Sequence, residues 1–570
     1  MATTDSMPLA DFIKLPDTVA FVVRYNGATE EYISRRQDVY LGKQLSGNYA
    51  VVYTSSERLG AVLYDIGAVS VNVIPSILAP LASGDIDSAG ITAVRRQPYL
   101  SLRGQGALLG FVDSGIDYTN GAFKYEDNTT RIRYIWDQTE SGASPEGYGF
   151  GSEYSSAAIN AALSSDAPYT VVPHRDTVGH GTFLASVAGS REQGEYMGAA
   201  PDAEFIIVKL KSASPYYRRL YLIPEDSEPA YESGDLMQGI EYIVQKAGEL
   251  ERPVAICVSL GSNMGGHDGF GVLEEYLARI SFMPGVAVCA AAGNESTARH
   301  HAQGRVAQTN DSVDIQVRTA ETSRSFAIEI WNNSSDRLAV SVQSPAGEIL
   351  GRVPARSGTS YSAKLILEPS SIVVEYYFPI EGSGSQLSVV SIIDPSPGIW
   401  TISVYGEIIL DGTFHAWLPI TGLVSPDVEF LTPSPYYTMA SLATATGVIT
   451  CGAYASINNS LYSLSSWGHT RLPMMAPDLT APGVDVGGIF PSGYGKMSGT
   501  SVAAAITTGA CALMLEWGVA DKNDTTLNTY LVRANLIRGC DRDNDTEYPN
   551  VQWGYGRLNL YNSFYLLRNI

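Results

Sequence analysis

The sequence lacks the long apolar segments that mark membrane or secreted proteins. No apolar run reaches the roughly 18–20 residues that a membrane-spanning helix needs, so we expect no membrane span. The first residues, MATTDSMPLADFIKLP, contain neither a basic start nor an apolar stretch. We therefore expect no signal peptide.

Cysteine is scarce, and its pattern excludes a disulfide framework. The chain has five cysteines, an odd number, and none belongs to a C-x-x-C pair. Cys257, Cys289 and Cys451 lie inside apolar runs, where we expect buried thiols that act as small hydrophobic groups. Together with the missing signal, this favours an intracellular, reducing environment.

Cationic residues are also few. Lys and Arg number 37 against 59 Asp and Glu, which gives a net charge of −22. Sequence-independent binding of nucleic acid needs a basic surface, so we expect no nucleic-acid partner.

The 45% hydrophobic and 10% aromatic content is that of a folded protein. A length of 570 residues exceeds one hydrophobic core and predicts two or three domains.

The hydrophobic pattern changes three times along the chain. An early α+β pattern ends in a segment of low periodicity, and continuously apolar strands then alternate with helical stretches, which is typical of a parallel sheet covered on both faces. Short strands of period two follow, which indicate a β-sandwich or jelly roll, before the α/β pattern returns. The predicted domains are residues 1–90, 91–302, an inserted all-β domain at 303–436, and 437–570.

Three motifs contain the residue types of nucleophilic catalysis. Asp113 ends an apolar strand in GFVDSG, His180 opens a small-residue helix in GHGT, and Ser501 opens another in GTS. A serine hydroxyl attacks at neutral pH only when an imidazole takes its proton and a carboxylate orients that imidazole. Each motif alone also fits a helix cap or a turn. The prediction of nucleophilic catalysis therefore rests on the occurrence of all three motifs in one chain.

The order Asp, His, Ser in these motifs resembles that of subtilisin-type serine proteases, over roughly residues 91–300 and 437–565. The resemblance implies a serine endopeptidase with a subtilisin-like α/β fold. In such a protease, Asp113 would orient the imidazole of His180, His180 would act as general base and acid, and Ser501 would be the nucleophile. It also implies that Asn294 in CAAAGNES donates to the oxyanion, together with the backbone N–H of Ser501.

The same resemblance implies where a peptide substrate binds. One segment would pair with the extended substrate, and a second would form a wall of the pocket for the residue before the cut. The first segment is Ser259, Leu260 and Gly261, and the second is Ala291, Ala292 and Gly293.

A closer resemblance is to the Csp-type germination proteases of clostridia. It rests on the missing leader, a folded propeptide, a jelly roll inserted between Asn294 and Ser501, and Gly-Thr-Ser501-Val-Ala in place of the commoner Gly-Thr-Ser-Met-Ala. It implies self-cleavage within residues 76–90 and a propeptide that can remain bound. It further implies limited proteolysis of a proenzyme such as a spore cortex-lytic enzyme, inside a cell or spore.

Three alternatives remain open. The chain could be a non-catalytic signalling or scaffold protein with this fold, a general protease of intracellular protein turnover, or a protease whose N-terminal domain is never cut. The inserted domain is expected to clamp the protease domain, and the alternative is that it binds carbohydrate or a partner.

Other polar residues give no metal or cofactor prediction. The calcium loop of the family is not recognisable at residues 190–198, and the acids of DRDND (541–545) are interpreted as a solvated loop. His300 and His301 lack metal-ligand partners at useful spacing. His174, Asp176 and His267 are interpreted as loop polarity, and Asp117 as a local cap.

Overall fold

The computed structural model describes residues 7–67, 73–80, 87–193, 196–472 and 474–568. An N-terminal unit, residues 7–80, contains three antiparallel strands in the order β1-β3-β2 and a further strand, β4, that leaves this sheet. Its elements are α1 (Leu9–Phe12), β1 (Thr18–Arg24), α2 (Gly27–Ser34), β2 (Val39–Leu45), β3 (Tyr49–Ser55), α3 (Ser56–Asp65) and β4 (Ile77–Pro80).

The next part of the chain alternates strands and helices, as its apolar runs predict. Its helices are α4 (Ile91–Arg96), α5 (Ser156–Leu163), α6 (Pro168–Val171), α7 (His180–Gly189), α8 (Pro215–Leu220), α9 (Ser233–Glu249) and α10 (Val272–Ile280). Its strands are β5 (Leu108–Asp113), β6 (Ile132–Asp137), β7 (Ser152–Ser155), β8 (Glu204–Lys209), β9 (Tyr231–Glu232), β10 (Val254–Val258), β11 (Leu260–Gly261) and β12 (Val286–Ala291).

An all-β insertion follows, and then the α/β pattern returns. The insertion holds β13 (His301–Arg305), β14 (Ser312–Thr319), β15 (Phe326–Asn332), β16 (Arg337–Gln343), β17 (Ile349–Val353), β18 (Thr359–Lys364), β19 (Ser371–Tyr377), β20 (Gln386–Ile393), β21 (Gly398–Ile408), β22 (Thr413–Trp417) and β23 (Glu429–Phe430). The last part holds β24 (Ile449–Ala455), β25 (Ser460–Leu461), β26 (Leu479–Pro482), β27 (Val486–Phe490), β28 (Gly493–Met497), α11 (Thr500–Leu515), α12 (Thr529–Gly539) and α13 (Leu560–Leu567).

A nine-stranded sheet joins the two α/β segments. Its order is β25-β24-β12-β10-β5-β8-β6-β7, with β26 beside β24. The pairs from β24 through β6 are parallel, and the outer strands β7 and β25 are antiparallel. Strands β5, β10 and β12 are buried along their whole length, because helices cover both faces. The sheet and its flanking helices agree with the predicted α/β fold class.

The insertion forms two packed antiparallel sheets. One has the order β13-β22-β15-β20-β19-β18 and the other β17-β16-β21-β14-β23. The inward-facing residues of both sheets share one apolar core, which includes Ile330, Val340 and Trp400. The period-two pattern therefore predicts this part correctly as a β-sandwich.

Helix α11 lies in the core of the α/β domain. Among the described residues, the helical segment Thr500–Ala520 is long and apolar enough by composition to cross a membrane. However, 89% of its apolar window is buried inside the protein, and every residue of α11 is buried. The segment therefore forms part of the protein core.

The N-terminal unit packs on α9 and α10 of the α/β domain. Val22, Val51 and Tyr53 of its sheet share an apolar core with Leu236 and Met237 of α9. Buried apolar contact of this kind is the dominant force in association, so the unit is held by a continuous core.

Polar contacts add to this packing at the edge of the N-terminal unit. The carboxylate of Glu241 accepts hydrogen bonds from the backbone N–H and the hydroxyl of Ser46, at 3.0 and 2.9 Å. Arg24 bonds to Glu275 of α10 at 2.6 Å and to Glu381 of the sandwich at 3.1 Å. One arginine of the N-terminal unit thus contacts both other parts of the protein.

Aromatic rings join the sandwich to the α/β domain. The ring of Trp417 stacks on His267 of the α/β domain at 4.0 Å, with 7° between the ring planes. His301 lies 5.0 Å from the same indole and shares a hydrogen bond of 3.1 Å with His415. The interpretation of His267 as loop polarity is wrong, since the residue is buried in this junction.

Burial determines the charge state of these imidazoles. Burial lowers the pKa of His267 to about 4 and that of His301 to about 3, because a charged ring would lose its hydration there. The positive charge of Arg471 lowers the pKa of His267 further. At neutral pH the junction therefore consists of uncharged stacked rings.

This junction should make the protein sensitive to acid. As the pH falls, the unfolded chain binds protons at His267 near its ordinary pKa, whereas the folded chain resists until about pH 4. The stability that this group supplies is complete above about pH 6.5 and is lost towards pH 4, at a cost of about 2 kcal/mol by pH 5. Denaturant unfolding at pH 7 and pH 5 measures the loss.

A His267→Gln substitution should flatten this pH dependence by about that amount. The control is Thr525→Gln, which alters an exposed side chain outside the junction and should leave the slope unchanged. An identical pH dependence in the His267→Gln chain would contradict the assignment.

Candidate active site

Three side chains that are distant in sequence meet at one end of the central sheet. The imidazole Nδ1 of His180 lies 2.8 and 2.9 Å from the two carboxylate oxygens of Asp113. Its Nε2 lies 3.4 Å from the hydroxyl of Ser501. All three are buried. The order carboxylate, imidazole, hydroxyl is that needed to move a proton away from a serine nucleophile.

Asp113 stays charged despite its burial at the end of β5. Burial alone would raise its pKa, but His180 and hydrogen bonds from Ser259 and the Ser114 backbone hold the pKa below its usual value. The Ser259 hydroxyl donates to the carboxylate at 2.6 Å, and the Ser114 N–H at 2.7 Å. A fixed negative charge therefore faces the imidazole.

Glycines allow the helix that carries His180 to approach Asp113. Helix α7 begins at His180, and the preceding Gly179 has a φ of 87°, in the left-handed region. A Cβ on Gly181 would lie 2.3 Å from the carbonyl oxygen of Gly115. Only glycine fits this close contact, which explains the Gly-His-Gly pattern.

The carboxylate of Asp176 fixes the start of the same helix. One oxygen accepts from the Ser114 hydroxyl at 2.9 Å and from the Gly179 N–H at 2.7 Å, and the other accepts from the N–H and hydroxyl of Thr182. Since Ser114 follows Asp113 directly, this carboxylate ties the end of β5 to the start of the helix that carries His180. Asp176 is a buried positioning residue, so its interpretation as loop polarity is wrong.

A second buried His–Asp pair supports the segment after Asp113. The Nδ1 of His174 lies 2.6 Å from Asp137, and its Nε2 accepts from the N–H of Ile116 at 3.2 Å. His174 is fully buried, so loop polarity is the wrong interpretation here as well. By contrast, Asp117 accepts from the N–H and hydroxyl of Thr119, as a local cap does.

Asn294 lies beside the start of the serine helix. Its Oδ1 accepts hydrogen bonds from the N–H and the hydroxyl of Thr500, at 3.0 and 3.2 Å. The Oδ1 is therefore the acceptor of this side chain, and the Nδ2 amide group is its donor. Helix α11 begins at Thr500, so the N–H of Ser501 belongs to its first turn, where anions are stabilised.

Glu295, the residue after Asn294, is a buried, multiply bonded carboxylate that sequence reasoning missed. Its buried carboxylate accepts from Asn263 at 2.8 Å and lies 2.8 Å from Nδ1 of His300. It also accepts from the N–H of Thr421, in the segment between β22 and β23 of the insertion. The sequence signal was present as the acid of GNES, beside a histidine five residues on.

The cleft is occupied by the N-terminal unit's own chain. Strand β4 lies antiparallel between β11 and β9, with Ala79 opposite Gly261 and Pro80 opposite Leu260. On the other side, Ile77 lies opposite Glu232 and Leu78 opposite Tyr231. An extended peptide therefore fills the place beside Leu260 and Gly261 where the sequence predicts a substrate.

The second predicted substrate segment follows β12. Ala291 ends that strand, the Ala292 N–H donates to the Cys451 carbonyl at 3.0 Å, and Gly293 has a φ of 111°. A Cβ on Gly293 would lie 2.7 Å from the hydroxyl of Ser466. The structure thus brings both predicted wall segments to the end of the sheet where the three reactive side chains meet.

Possible metal ligands are dispersed. Within the described ranges, no group of three or more His, Cys, Asp or Glu side chains could hold a metal ion. In the acidic loop, Asp543 pairs with Arg557, and Asp541 accepts from Asn559. Residues 194–195 of the segment compared with the family's calcium loop lie outside the described residues.

Comparison with known proteins agrees with the fold. Residues 432–556 match the sequence profile of the Subtilase family. The structure of the Clostridium perfringens CspB protease is similar over 85% of this chain and 99% of its own, with a TM-score of 0.76 and 31% identity. Fervidolysin of Fervidobacterium pennivorans, a keratinolytic enzyme related to subtilisin, matches with a TM-score of 0.51 and 13% identity, over 96% of this chain and 61% of its own. No curated protein matches the sequence.

The role of Asp176 can be tested through the rate of self-cleavage. Asp176→Ala removes the acceptor that aligns His180, and we expect a rate lower by about 10²-fold, as small misplacements of reacting groups produce. Asp176→Asn keeps one oxygen and should recover part of the rate. The measurement is the time course of fragment formation after synthesis.

The matched control is Asp166→Ala, at an exposed position. It should cleave at the rate of the unaltered chain. If all three chains, Asp176→Ala, Asp176→Asn and this control, cleave at the same rate, Asp176 has no positioning role.

Proposed function

Because the chain belongs to the subtilase family and is a subtilisin-type serine endopeptidase, we propose that Asp113, His180 and Ser501 are its catalytic triad. The observation that carries this is the chain of contacts from the Asp113 carboxylate through the His180 ring to the Ser501 hydroxyl, beside an extended peptide. The alternative of a non-catalytic scaffold protein has no comparable support from the geometry.

The proposed reaction follows from these contacts. His180 Nε2 takes the hydroxyl proton as Ser501 Oγ attacks the substrate carbonyl carbon. The oxygen that becomes negative is stabilised by the Asn294 Nδ2 amide and the Ser501 N–H. The imidazolium, stabilised by Asp113, then protonates the leaving amine. Water hydrolyses the acyl-enzyme with His180 as base, which restores the hydroxyl of Ser501.

We further propose that residues 1–81 are a propeptide that the enzyme itself removes. Strand β4 already lies in the cleft as an antiparallel partner of Leu260 and Gly261. Ser259 precedes Leu260 and donates to Asp113, so a residue opposite Ser259 is the one nearest the triad. Continuing the pairing by one residue past Pro80 assigns Leu81 to the position before the cut. Residues 81–86 lie outside the described residues, so this is an extension of the observed register.

Propeptide retention after cleavage is part of the same proposal. The N-terminal unit shares an apolar core with α9 and contacts Glu241 and Glu275 through hydrogen bonds and an ion pair. None of these contacts involves the bond to be cut. Cleavage therefore leaves the interface intact, and the fragment is expected to remain bound.

N-terminal sequencing of the purified protein tests the triad and the cut together. We expect two N-termini, that of the chain and a new one that begins at Ala82, in a complex that elutes as one species. Ser501→Ala should remain a single uncut chain, since it lacks the nucleophile. Equal processing of the two chains would overturn the proposal, and a new N-terminus elsewhere in residues 76–90 would overturn the register.

For the natural substrate, we propose limited proteolysis of a proenzyme, such as a spore cortex-lytic enzyme, inside a cell or spore. What supports this is the 31% identity to the CspB protease over 85% of the chain, together with the resemblance of the sequence to Csp-type germination proteases. A cleft filled by the enzyme's own tail favours selective over general digestion.

Digestion patterns distinguish this role from general protein turnover. The processed enzyme should cut a cortex-lytic proenzyme at one or two bonds and leave unfolded casein largely intact over the same period. Gel electrophoresis and mass spectrometry of the products give the measurement, with Ser501→Ala as the blank. Extensive casein digestion would contradict limited proteolysis without affecting the assignment of the triad.

A further inference from the structure

A cavity lies where the N-terminal unit, the α/β domain and the sandwich meet. Its volume is about 200 Å³. A single water needs only roughly 10–15 Å³ on the same measure, so a long side chain has room there. Ser76 contributes from the N-terminal unit, Gly266 and Phe270 from the α/β domain, and Trp331 and Tyr377 from the sandwich.

The cavity continues the peptide-binding cleft. The N–H of Ser76 donates to the hydroxyl of Ser233 at 2.9 Å, and the Ser233 N–H donates to the Ser76 carbonyl at 2.8 Å. These bonds add one residue pair, Ser76 with Ser233, to the pairing of β4 with the Tyr231–Glu232 strand, at the N-terminal end of β4. A substrate that follows the path of β4 would therefore pass this cavity four residues before the position of Pro80.

Carboxylates line the cavity. Asp268 and Glu274 come from the α/β domain, and Glu329 and Glu375 come from the outer face of one sandwich sheet. No lysine or arginine among the described residues lines it. Burial raises the pKa of Glu274 to about 7 and raises that of Glu329, since both lose hydration without gaining a cation.

One of these carboxylates has an oxygen without a donor. Asp268 is 5% exposed, and its Oδ2 has no hydrogen-bond partner among the described residues. The nearest cation is Arg471, whose Nη1 lies 3.8 Å away and donates instead to the Gly266 carbonyl. A buried acceptor of this kind is costly unless a donor reaches it.

We propose that this cavity is a substrate subsite, formed jointly by the α/β domain and the inserted sandwich, which takes a lysine or arginine side chain. The side chain would be the one at the substrate position that Ser76 occupies in the propeptide. A long apolar stem matches the Phe270 and Trp331 walls, and the cationic head matches the carboxylates. The propeptide presents a short serine there and leaves the subsite empty, so a cationic substrate gains contacts that the propeptide lacks. This inference rests on the proposed function of the cleft.

The first test measures whether the cavity accepts a cation, independently of catalysis. In the uncleavable Ser501→Ala chain, Ser76→Lys, Ser76→Gln and Ser76→Asp are compared by denaturant unfolding. We expect the folding equilibrium constant of the lysine chain to exceed that of the aspartate chain by about tenfold, with glutamine between them. Equal values for lysine and aspartate, or the reverse order, would overturn the proposal.

The second test measures self-cleavage of the same three substitutions with Ser501 intact. Binding of the side chain at position 76 in the cavity helps to place the bond to be cut. The cleavage rate should therefore be highest for lysine, intermediate for glutamine and lowest for aspartate. Rates that do not differ, in a chain that still cleaves, would overturn the subsite. Absence of cleavage in the unsubstituted chain would instead overturn the proposed function.

A charge reversal in the sandwich distinguishes binding of the lysine in the cavity from an effect of net charge. Glu375→Lys should reduce the preference for lysine over aspartate at position 76 by at least about threefold in both tests. The matched control is Glu321→Lys, an exposed carboxylate of the sandwich that does not line the cavity. If both reversals change the preference equally, the effect comes from net charge and the subsite is wrong.

Discussion

The buried negative charge of Asp113 is the constraint on which the active site depends. A carboxylate at the end of a central strand is stable only if donors surround it, and Ser259, Ser114 and His180 supply them. Each donor comes from a different place in the chain, so satisfying one charge brings the substrate strand and the histidine helix together. Protein stability and catalytic geometry have the same physical origin here.

The second organising element is the strand that the N-terminal unit contributes to the cleft. The two-residue strands Leu260–Gly261 and Tyr231–Glu232 lie on either side of β4, and each pairs with it in their three-stranded sheet. Strand β4 satisfies both edges at once. The same backbone groups would serve a substrate, so the protein completes its own sheet with the ligand type that it is built to bind.

Local chemistry explains what the sequence could predict. The motifs around Asp113, His180 and Ser501 include glycines that a close approach requires, so short patterns predicted the fold correctly and gave the candidate residues. The period-two strands predicted the sandwich for the same local reason. Asp176 and Glu295 each have a partner nearby in sequence. Their bonds to Ser114 and Thr421, and the carboxylate cavity, were not predictable, because those partners lie on other elements. Asp176 is 62 residues from Ser114, and Glu295 is 126 residues from Thr421. No spacing in the sequence shows such pairs.

The position of the sandwich in the chain has a consequence for synthesis. A ribosome makes Asp113, His180 and Asn294 first, then the whole sandwich, and only afterwards the helix that begins at Thr500. Helix α11 is buried throughout and packs against β10, β12 and α7, so the central core cannot close before it emerges. The nascent chain therefore lacks Ser501, the proposed nucleophile, until the N-terminal unit and the sandwich have had time to fold. Topology alone delays the protease until its substrate-like strand is in place.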